Sequence, residues 1–446
     1  MQSAKTDNTQ AVIEAAKKAK AASGALARFS TEEKNHALRN IARRLNERAE
    51  EILAANRQDL DAARPLVESG RMAESLYRRL KLDEAKLRDM ISGIEQVAAL
   101  ADPVGGITLA TELDEGLRLY RVNCPIGVVG VIFESRPDAL TQIASLCLKS
   151  ANAVLLKGGR EAENSNRVLF ATAQSAAVEA GVPAEAMTLL ESREDVRALL
   201  EAEGYVDLII PRGSNALVSF VQENTNIPVL GHAEGICHVY VDRAADLEKA
   251  LEITLDAKAQ YPAACNAIET LLVHAAVARE FLPRVIAALQ SKGVEVRCDD
   301  RAMREYGIVD VKQATQEDWS TEYSDLILAV KVVDSLEEAI EHINTYGSRH
   351  TDAIITEDDS AWERFFAEVD SAGVYLNAST RFADGYRYGF GAEVGISTGK
   401  LHPRGPVGLE GLVTYKYKLV GSGQTVAMYS GSNARKFTHR VIDDQM

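Results

Sequence analysis

The chain has 446 residues, a length that suggests two or three domains. Hydrophobic residues make up 46% and charged residues 26%, as is typical of a globular protein. The formal net charge of −15 disfavours nucleic acid and anionic membranes as partners, because both reward a basic surface. Five scattered cysteines without a C-x-x-C pair argue against a disulfide framework or a structural zinc site, and the eight histidines neither cluster nor form an H-E-x-x-H motif. No apolar run is long enough to span a membrane, and the N-terminus lacks the apolar core of a signal peptide. We therefore expect a metal-free cytoplasmic protein.

The first hundred residues are predicted to be helical. Ser30-Thr31-Glu32-Glu33 has the form of a capping box, with Ser30 as the N-cap and Glu33 reaching back to it. Apolar residues then recur every three or four positions, as on the buried face of a helix: Ala37, Leu38, Ile41, Ala42, Leu45, Ala49, Ile52 and Leu53. A second such face runs from Leu87 to Leu100 and ends before Asp102-Pro103. These helices carry no motif with chemistry and are predicted to be scaffold.

From Leu117 the hydrophobic period changes to two. Residues 117–122 alternate like a half-exposed strand, and a turn at 123–125 leads into the apolar run 127–133, typical of a buried parallel strand. Strands are then predicted at 153–156, 187–190, 206–210, 227–230 and 236–241, with helices from about Asn164, Glu194 and Asn215. This alternation predicts a doubly wound α/β domain.

A second α/β series begins near Gly235. Helices are predicted at 246–257, from about 277, at 336–343 and at 360–369, and strands at 268–273, 326–333, 352–356 and 374–376. The polar tail from Gly421 is predicted to be partly loose. The fold class is therefore α/β, with two doubly wound domains.

One cysteine stands out in the second series. Tyr261-Pro262-Ala263-Ala264-Cys265-Asn266-Ala267 is a loop of small residues that immediately precedes the apolar strand 268–273. Such a loop holds a thiol rigidly while leaving it accessible, which is what a nucleophile needs. The alternative is a buried structural cysteine, because free cysteines are among the most buried residues.

Two strand ends in the first series indicate a nucleotide site. Leu155-Leu156-Lys157-Gly158-Gly159-Arg160 follows one strand, and Ile210-Pro211-Arg212-Gly213-Ser214-Asn215 opens a helix after another. Ligands bind at such carboxyl ends of strands, and a helix N-terminus favours phosphate. No G-x-G-x-x-G fingerprint is present, so a standard dinucleotide fold is not supported, and ordinary turns are the alternative.

A long glycine-rich and basic loop follows Leu376. It runs through 377–385 and 389–393 to 402–406 and includes Arg381 and Arg404. Arginine binds carboxylate and phosphate groups through paired hydrogen bonds, so this loop is a candidate anchor for an anionic substrate. A solvated connecting loop is the alternative.

Five of these motifs, in the same order, resemble the gamma-glutamyl phosphate reductases, a family within the aldehyde dehydrogenase superfamily. They cover residues 125–138, 156–159, 211–214, 265–274 and 377–385, and the resemblance extends from about residue 10 to about residue 420. The stretches 231–235 and 261–265 are similar to the fused kinase–reductase form of plants and animals, and we expect the reductase without the kinase half.

The resemblance implies an aldehyde-dehydrogenase-like fold with a small β oligomerisation ribbon. An NADP-binding domain is then expected over 1–234, with 108–123 in the ribbon, and a catalytic domain over 235–409. Residues 410–446 are expected to form a ribbon strand and a tail.

The resemblance also assigns roles to the cofactor-binding residues. Lys157, with Gly158 beside it, is expected to hold the adenosine ribose, and Gly213 and Ser214 the pyrophosphate. Arg160 stands where NAD-preferring members carry an acidic residue; a guanidinium there suits a 2′-phosphate and predicts NADPH. Glu322 is expected to hold the nicotinamide ribose.

The catalytic residues carried over are Cys265, Asn266 and Arg136. Cys265 is expected to form a thioester with the glutamyl group. Arg136 falls where many aldehyde dehydrogenases carry the asparagine of the oxyanion hole, and a helix-start ion pair is its alternative role. Ser379, Thr380 and Arg381 are expected, from charge and loop position, to hold the anionic groups of the substrate.

One position departs from the hydrolytic members of the superfamily. The glutamate that activates water in those enzymes aligns with His232, and Glu234 lies two residues away. A thioester that is to receive hydride should not meet an activated water. The departure therefore favours an acyl-phosphate reductase.

The implied activity is the NADPH-dependent reduction of L-glutamyl 5-phosphate to L-glutamate 5-semialdehyde and phosphate, the second step of proline biosynthesis from glutamate. Glutamate 5-kinase is an expected partner, and the strands 117–122 and 412–417 predict a homo-oligomer, dimer or tetramer. The alternatives are an aldehyde dehydrogenase that uses CoA or water, a catalytically silent relative, and a cysteine amidohydrolase. The last would need an activating histidine near the thiol and no nucleotide site.

Overall fold

The computed structural model describes residues 2–232 and 234–443, and these form two compact units. The first unit comprises Met1–Leu230, Phe390–Gly395 and Val407–Met446, and the second comprises Gly231–Gly389 and Ile396–Pro406. Both contain parallel sheets packed against helices, so the predicted α/β class is confirmed. In the described residues, no helix combines the length and the apolar character needed to cross a membrane.

The helices of the first unit are α1 (Gln2–Leu26), α2 (Thr31–Glu47), α3 (Ala49–Glu68), α4 (Glu74–Leu80), α5 (Glu84–Ala99), α6 (Pro137–Lys149), α7 (Glu163–Glu179), α8 (Arg193–Leu200) and α9 (Asn215–Glu223). The capping box before α2 is confirmed: Ser30 Oγ accepts from the Glu33 amide, and Glu33 Oε2 accepts from the Ser30 amide at 2.7 Å. The predicted apolar face of α2 is buried.

The first unit holds a parallel sheet made of β3 (Val128–Phe133), β4 (Ala153–Lys157), β5 (Met187–Leu190) and β6 (Leu208–Arg212), in the order β5-β4-β3-β6. Alternate residues of β3 pack on opposite faces: Val128 and Ile132 lie against α1 residues, and Val129 and Val131 against α6 and α7. Helices on both faces make this sheet doubly wound, as predicted.

Two details of the first series were predicted wrongly. Residues 227–230 form an isolated bridge at Val229 in place of a strand, because Pro228 has no amide hydrogen to extend the ladder. The turn predicted at 123–125 is instead the end of a strand, because a partner strand from the C-terminal segment pairs with it.

That partner belongs to an antiparallel ribbon of β1 (Ile107–Asp114), β2 (Leu117–Pro125), β16 (Val413–Val420) and β17 (Arg440–Val441), ordered β16-β2-β1-β17. Side chains along β16 are exposed from Thr414 onwards, including Tyr415, Tyr417 and Leu419. The polar tail thus returns to the ribbon, where Val441 pairs with Thr111 of β1.

The second unit contains a seven-stranded parallel sheet within the described residues. Its strands are β7 (Cys237–Val241), β8 (Ile268–His274), β9 (Glu295–Cys298), β10 (Lys312–Gln313), β11 (Ile327–Val333), β12 (Thr351–Ile355) and β13 (Gly373–Leu376), in the order β10-β9-β11-β8-β7-β12-β13. The helices are α10 (Leu247–Ala259), α11 (Ala275–Ser291), α12 (Asp300–Glu305), α13 (Leu336–Tyr346) and α14 (Asp359–Glu368). The short strands β14 (Gly395–Ser397) and β15 (Gly405–Val407) pair separately.

Strands β8, β7 and β12 are neighbours in this sheet and run parallel. The segments that immediately precede them, around Cys265, His232 and His350, therefore meet at one edge of the sheet. Strands β9 and β10 and helix α12 were not predicted.

Candidate active site

The cysteine loop joins the end of α10 to the start of β8. Short turns close it, with Ala264 N bonded to Tyr261 O and Ala267 N bonded to Ala264 O. Gly235 packs directly against the cysteine, and a Cβ built on it would lie 2.7 Å from Cys265 Cα. Real Cβ atoms do not approach a backbone atom so closely, so position 235 requires a glycine. The segment before β7 therefore packs against the backbone of Cys265 and holds it in place.

The thiol of Cys265 contacts a histidine. Cys265 is half-buried, and its Sγ lies 3.2 Å from Nε2 of His350. The other ring nitrogen of His350, Nδ1, lies 2.9 Å from the hydroxyl of Thr351, and the imidazole is 1% exposed. This arrangement places a base within proton-transfer distance of a nucleophile and orients it with a third group. His350 was not predicted from the sequence.

A second histidine packs on the first. The rings of His232 and His350 meet edge to face with centroids 5.1 Å apart, and His232 Nδ1 lies 3.1 Å from the carbonyl oxygen of Ile396. One ligand atom from each of His232, Cys265 and His350 lies within 4.8 Å of the others. The neighbouring Ala233 lies outside the described residues.

Arg381 lies beside the cysteine loop. Its Nε donates to Gln260 Oε1 at 3.0 Å, and its guanidinium lies 5.8 Å from the centre of the Tyr261 ring. Arg387 Nη1 in turn donates to the Arg381 carbonyl oxygen. Burial lowers the pKa of Arg381, and the nearby positive charge of Arg387 lowers it further. A buried cation of this kind is stabilised by an anion, so this region can hold a carboxylate or a phosphate.

The other predicted substrate residues support the loop itself. Thr380 is buried, and its hydroxyl donates to the carbonyl oxygen of Asn266 at 2.7 Å. Asn266 Nδ2 donates to the carbonyl oxygen of Ala383 at 2.8 Å, and Ser379 Oγ accepts from the Arg381 amide. The loop that carries Arg381 is thus fastened to the residue that follows the cysteine.

In the first unit, a shallow cleft opens at the ends of β4 and β5. The residues that line it are Gly158, Gly159, Arg160, Glu163, Asn166, Leu189, Leu190 and Glu191. A Cβ on Gly158 would collide with the Asn166 amide and lie 3.1 Å from the Phe133 ring, so the cleft depends on a glycine at this position. Its mixture of apolar and charged walls fits the adenosine end of a nicotinamide cofactor.

Two cations of this region have different environments. Lys157 ends β4 and is buried; desolvation lowers its pKa, and its ammonium donates to the Gly158 carbonyl oxygen. Arg160 is exposed on the cleft and forms no ion pair in the part of the chain that the structure describes. The carboxylates of Glu163 and Glu191 are both bonded to Arg167, which offsets their charge near Arg160.

Gly213 and Ser214 lie between β6 and the N-terminus of α9. The amide of Ser214 donates to Glu134 Oε2 at 2.8 Å, and a Cβ on Gly213 would collide with the Glu134 carboxylate. A carboxylate already lies at this helix start, where a negative charge is favourable. Binding of a pyrophosphate here requires the Glu134 side chain to move.

Arg136 is exposed at the N-terminus of α6. Ser135 before it has a φ of 45°, the left-handed region that non-glycine residues rarely adopt, and both its amide and its hydroxyl bond Glu161 Oε1. Strained residues of this kind cluster at functional sites. The structure thus adds Ser135 to the residues of interest beside Arg136.

Glu322 belongs to the second unit, next to a buried ion pair. Ser324 donates its hydroxyl to Glu322 at 3.5 Å and its amide to Glu269 at 3.2 Å. Glu269 is bonded to Lys258 at 2.5 Å, and both side chains are at most 1% exposed. The pair anchors the Glu322 segment to β8, four residues beyond Cys265.

Comparison with known proteins agrees with this fold. A family model described as the aldehyde dehydrogenase family matches residues 1–315. The chain belongs to the aldehyde dehydrogenase family, whose members use a nicotinamide cofactor. The proteins it resembles within that family are gamma-glutamyl phosphate reductases.

The chain is 59% identical to the gamma-glutamyl phosphate reductase of Cyanothece sp. over 97% of its own length and 98% of that protein. It is likewise 59% identical to the enzyme of that name from Synechococcus elongatus, covering 94% of this chain and 96% of the relative. The crystal structure of the Thermotoga maritima gamma-glutamyl phosphate reductase superposes with a TM-score of 0.89 at 44% identity, covering 93% and 99% of the two chains.

More distant structures share the fold alone. An acetylating aldehyde dehydrogenase from Geobacillus thermoglucosidasius superposes with a TM-score of 0.66 at 18% identity, over 95% of this chain and 99% of the other.

Proposed function

We propose that this chain reduces L-glutamyl 5-phosphate with NADPH to L-glutamate 5-semialdehyde, releasing phosphate and NADP. This is the second step of proline biosynthesis from glutamate. The observation that carries the proposal is the contact between Cys265 Sγ and His350 Nε2, in a chain 59% identical to gamma-glutamyl phosphate reductases over nearly its whole length. An acyl phosphate is an activated acid, and a thiolate attacks its carbonyl carbon readily.

The thiol is activated by His350. The imidazole accepts the thiol proton on Nε2, and the Thr351 hydroxyl at Nδ1 keeps the ring in orientation. The resulting thiolate attacks the carbonyl carbon, phosphate leaves, and the glutamyl group becomes a thioester of Cys265. Backbone amides near Cys265 stabilise the oxyanion, and Arg136 neutralises charge on the oxyanion or on the departing phosphate.

NADPH, when bound, supplies the hydride that reduces this thioester to the aldehyde. Lys157, Gly158, Gly213, Ser214 and Glu322 hold the cofactor in the roles carried over from the family. Arg160 favours NADPH over NADH, because an exposed guanidinium at the mouth of the cleft attracts a 2′-phosphate. Cys265 regains its proton from His350 when the aldehyde is released.

Water must be kept from the thioester. His232 stands at the position that aligns with the water-activating glutamate of hydrolytic relatives, and its ring is engaged with the Ile396 carbonyl and the His350 ring. His232 thus replaces the carboxylate that activates water in those relatives. The intermediate then survives until it is reduced.

The substrate is anchored by its charges. Arg381, with Arg387 behind it, pairs with an anionic group of the glutamyl phosphate, while Ser379, Thr380 and Asn266 fix the loop that presents it. The lowered pKa of the buried Arg381 fits this role, because the guanidinium is more stable with an anion beside it.

The activity is tested in the reverse direction with pyrroline-5-carboxylate, NADP and phosphate. We expect NADPH formation that requires phosphate and is lost in Cys265→Ala. Turnover that proceeds without phosphate, or that needs CoA, would favour another aldehyde dehydrogenase reaction. Hydrolysis of an amide with no binding of NADPH would favour the cysteine amidohydrolase, which also places a histidine beside its thiol.

The assembly and surroundings of the enzyme follow from the same proposal. The exposed strand β16 suits pairing with a second copy, so we expect a homodimer or homotetramer in the cytoplasm. A glutamate 5-kinase is the expected supplier of the labile substrate. Light scattering after size-exclusion chromatography, with and without that kinase, tests both expectations.

A further inference from the structure

Three side chains around the thiol form a second kind of site. One nitrogen of His232, one nitrogen of His350 and Sγ of Cys265 lie within 4.8 Å of one another. They come from the segments that precede β7, β12 and β8, three neighbouring strands whose register fixes their separation. The reduction proposed above uses the thiol and His350 in proton transfer and needs no ion at this position.

The set of ligand atoms matches a transition metal. Imidazole nitrogen and thiolate sulfur are the ligands that zinc prefers, and magnesium and calcium prefer oxygen. Tetrahedral zinc, with bonds of about 2.0–2.3 Å, places its ligand atoms roughly 3.4–3.6 Å apart. The contact between Cys265 Sγ and His350 Nε2 is already 3.2 Å long. Because the three ligand atoms lie within 4.8 Å of one another, bringing any pair to this spacing needs a shift of at most about 1.4 Å.

Nδ1 of each histidine ring is hydrogen-bonded within the protein, as is common for imidazoles that bind a metal through Nε2. His232 Nδ1 lies 3.1 Å from the Ile396 carbonyl oxygen, a contact that fixes the proton on Nδ1. His350 Nδ1 lies 2.9 Å from the Thr351 hydroxyl. Histidine ligands are commonly oriented by such a bond from the nitrogen that does not face the metal. A proton on Nδ1 of His232 leaves the lone pair on its Nε2, and Nε2 of His350 already faces the thiol.

We propose that His232, Cys265 and His350 form an inhibitory site for a divalent transition metal of the zinc type. Binding forms a metal–sulfur bond and releases the thiol proton to solvent, with no change of oxidation state. If the thiol and His350 act as in the function proposed above, on which this inference rests, the bound thiolate cannot attack an acyl phosphate and His350 cannot accept a proton. The ion then switches the enzyme off reversibly. The fourth position on the metal is left for water or an anion.

The site is tested with Co²⁺ alone, because the absorption spectrum of this ion depends on the number and type of its ligands. Addition to the whole protein should give the visible spectrum of tetrahedral cobalt and a thiolate-to-cobalt band in the near ultraviolet, at one equivalent per chain. Cys265→Ser should abolish the thiolate band. His232→Gln and His350→Gln should each weaken Co²⁺ binding by at least about tenfold.

Two matched variants serve as controls, Cys124→Ser for a partly exposed cysteine of the first unit and His36→Gln for an exposed histidine. Both should bind Co²⁺ like the unmodified protein. Circular dichroism establishes that each variant is folded, and if His350→Gln does not fold, His232→Gln decides the histidine contribution alone.

The rate at which Cys265 is alkylated gives a second measure of metal binding. Micromolar Zn²⁺ should slow alkylation of Cys265 by iodoacetamide, followed by mass spectrometry, and Mg²⁺ should not. The proposal is overturned if the unmodified protein gives no thiolate–cobalt band, if the band persists in Cys265→Ser, if His232→Gln binds as tightly as the control, or if Zn²⁺ leaves the alkylation rate unchanged.

Discussion

Sγ of Cys265 lies 3.2 Å from Nε2 of His350, although the two residues are 85 positions apart in the chain. The contact is possible because the strands that follow them, β8 and β12, flank the same strand β7. It couples a half-buried thiol to a buried imidazole, and the chemistry proposed for the second unit depends on it.

Replacement of His350 by Asn should therefore slow catalysis at the thiol. We expect kcat/KM for pyrroline-5-carboxylate to fall by roughly 10²–10⁴-fold, the usual contribution of a general base. The alkylation rate of Cys265 by iodoacetamide should fall as well, because the thiol then lacks the neighbouring imidazole that can accept its proton. His36→Gln, at an exposed position, should change neither value. An unchanged alkylation rate in His350→Asn would remove His350 from the mechanism.

Arg160→Ala tests the choice of cofactor. The KM for NADPH should rise by roughly 10–100-fold, while the KM for NADH stays nearly constant, because only NADPH carries the 2′-phosphate. Arg57→Ala, an exposed arginine on α3, is the matched control and should leave both constants unchanged. Equal loss of affinity for the two cofactors would show that Arg160 acts on something other than the 2′-phosphate.

Arg381→Lys tests the anion anchor. Lysine keeps the charge but loses the planar fork that bonds Gln260 and faces Tyr261. The KM for pyrroline-5-carboxylate should rise by roughly tenfold or more, with no change in the KM for NADP. The exposed Arg243, replaced by Lys in the same unit, controls for a general effect of the substitution. A rise in the KM for NADP of similar size would contradict a role in substrate binding.

The buried pair Lys258–Glu269 has a stability consequence that depends on pH. Burial raises the pKa of Glu269 from its ordinary value to about 7, and the charge of Lys258 opposes this rise. A carboxyl group whose pKa is raised by folding stabilises the fold fully only below its unfolded pKa, and the contribution is lost as the pH rises through the folded pKa. Lys258→Met raises the folded pKa of Glu269 further, so its destabilisation should grow with pH.

We expect Lys258→Met to lose about 3–5 kcal/mol of unfolding free energy at about pH 8, and less at about pH 5.5. The double variant Lys258→Met, Glu269→Leu should recover most of the loss and show no added pH dependence, because no buried charge remains. Urea unfolding followed by circular dichroism at the two pH values measures this. A loss in Lys258→Met that is the same at both pH values would argue that Glu269 does not titrate in the folded protein.

Local patterns in the sequence predicted most of the fold. The apolar runs of β3, β8 and β11 are buried on both faces, and such runs are visible without knowing their neighbours. The short strand β9 was missed because it alternates over four residues only, with Glu295 and Arg297 facing outward. The prediction of a strand at 227–230 was wrong. The run has the hydrophobic pattern of a strand, but Pro228 has no amide hydrogen with which to extend the hydrogen-bonded ladder.

Site residues could be predicted from the sequence only where neighbouring residues in the chain mark them. Cys265 follows from the loop of small residues around it, and Gly158 and Gly213 from the turns that they form. His350 has no such signal, because its significance comes from the order of β8, β7 and β12, which local periodicity does not determine. The hydroxyl of Thr380 was expected to face the substrate, and it bonds the backbone of Asn266; the predicted roles of Ser379, Thr380 and Arg381 at the substrate remain predictions.

The ribbon β16-β2-β1-β17 also constrains how the protein is made. The hairpin of β1 and β2 leaves the ribosome early, and both strands that cover its two edges come from the last stretch of the chain, 413–441. Throughout synthesis of the second unit the hairpin therefore presents two open edges to other nascent chains. A chain truncated before residue 413 would contain the whole cysteine loop, but both edges of its hairpin would stay open and would make it a substrate for chaperones.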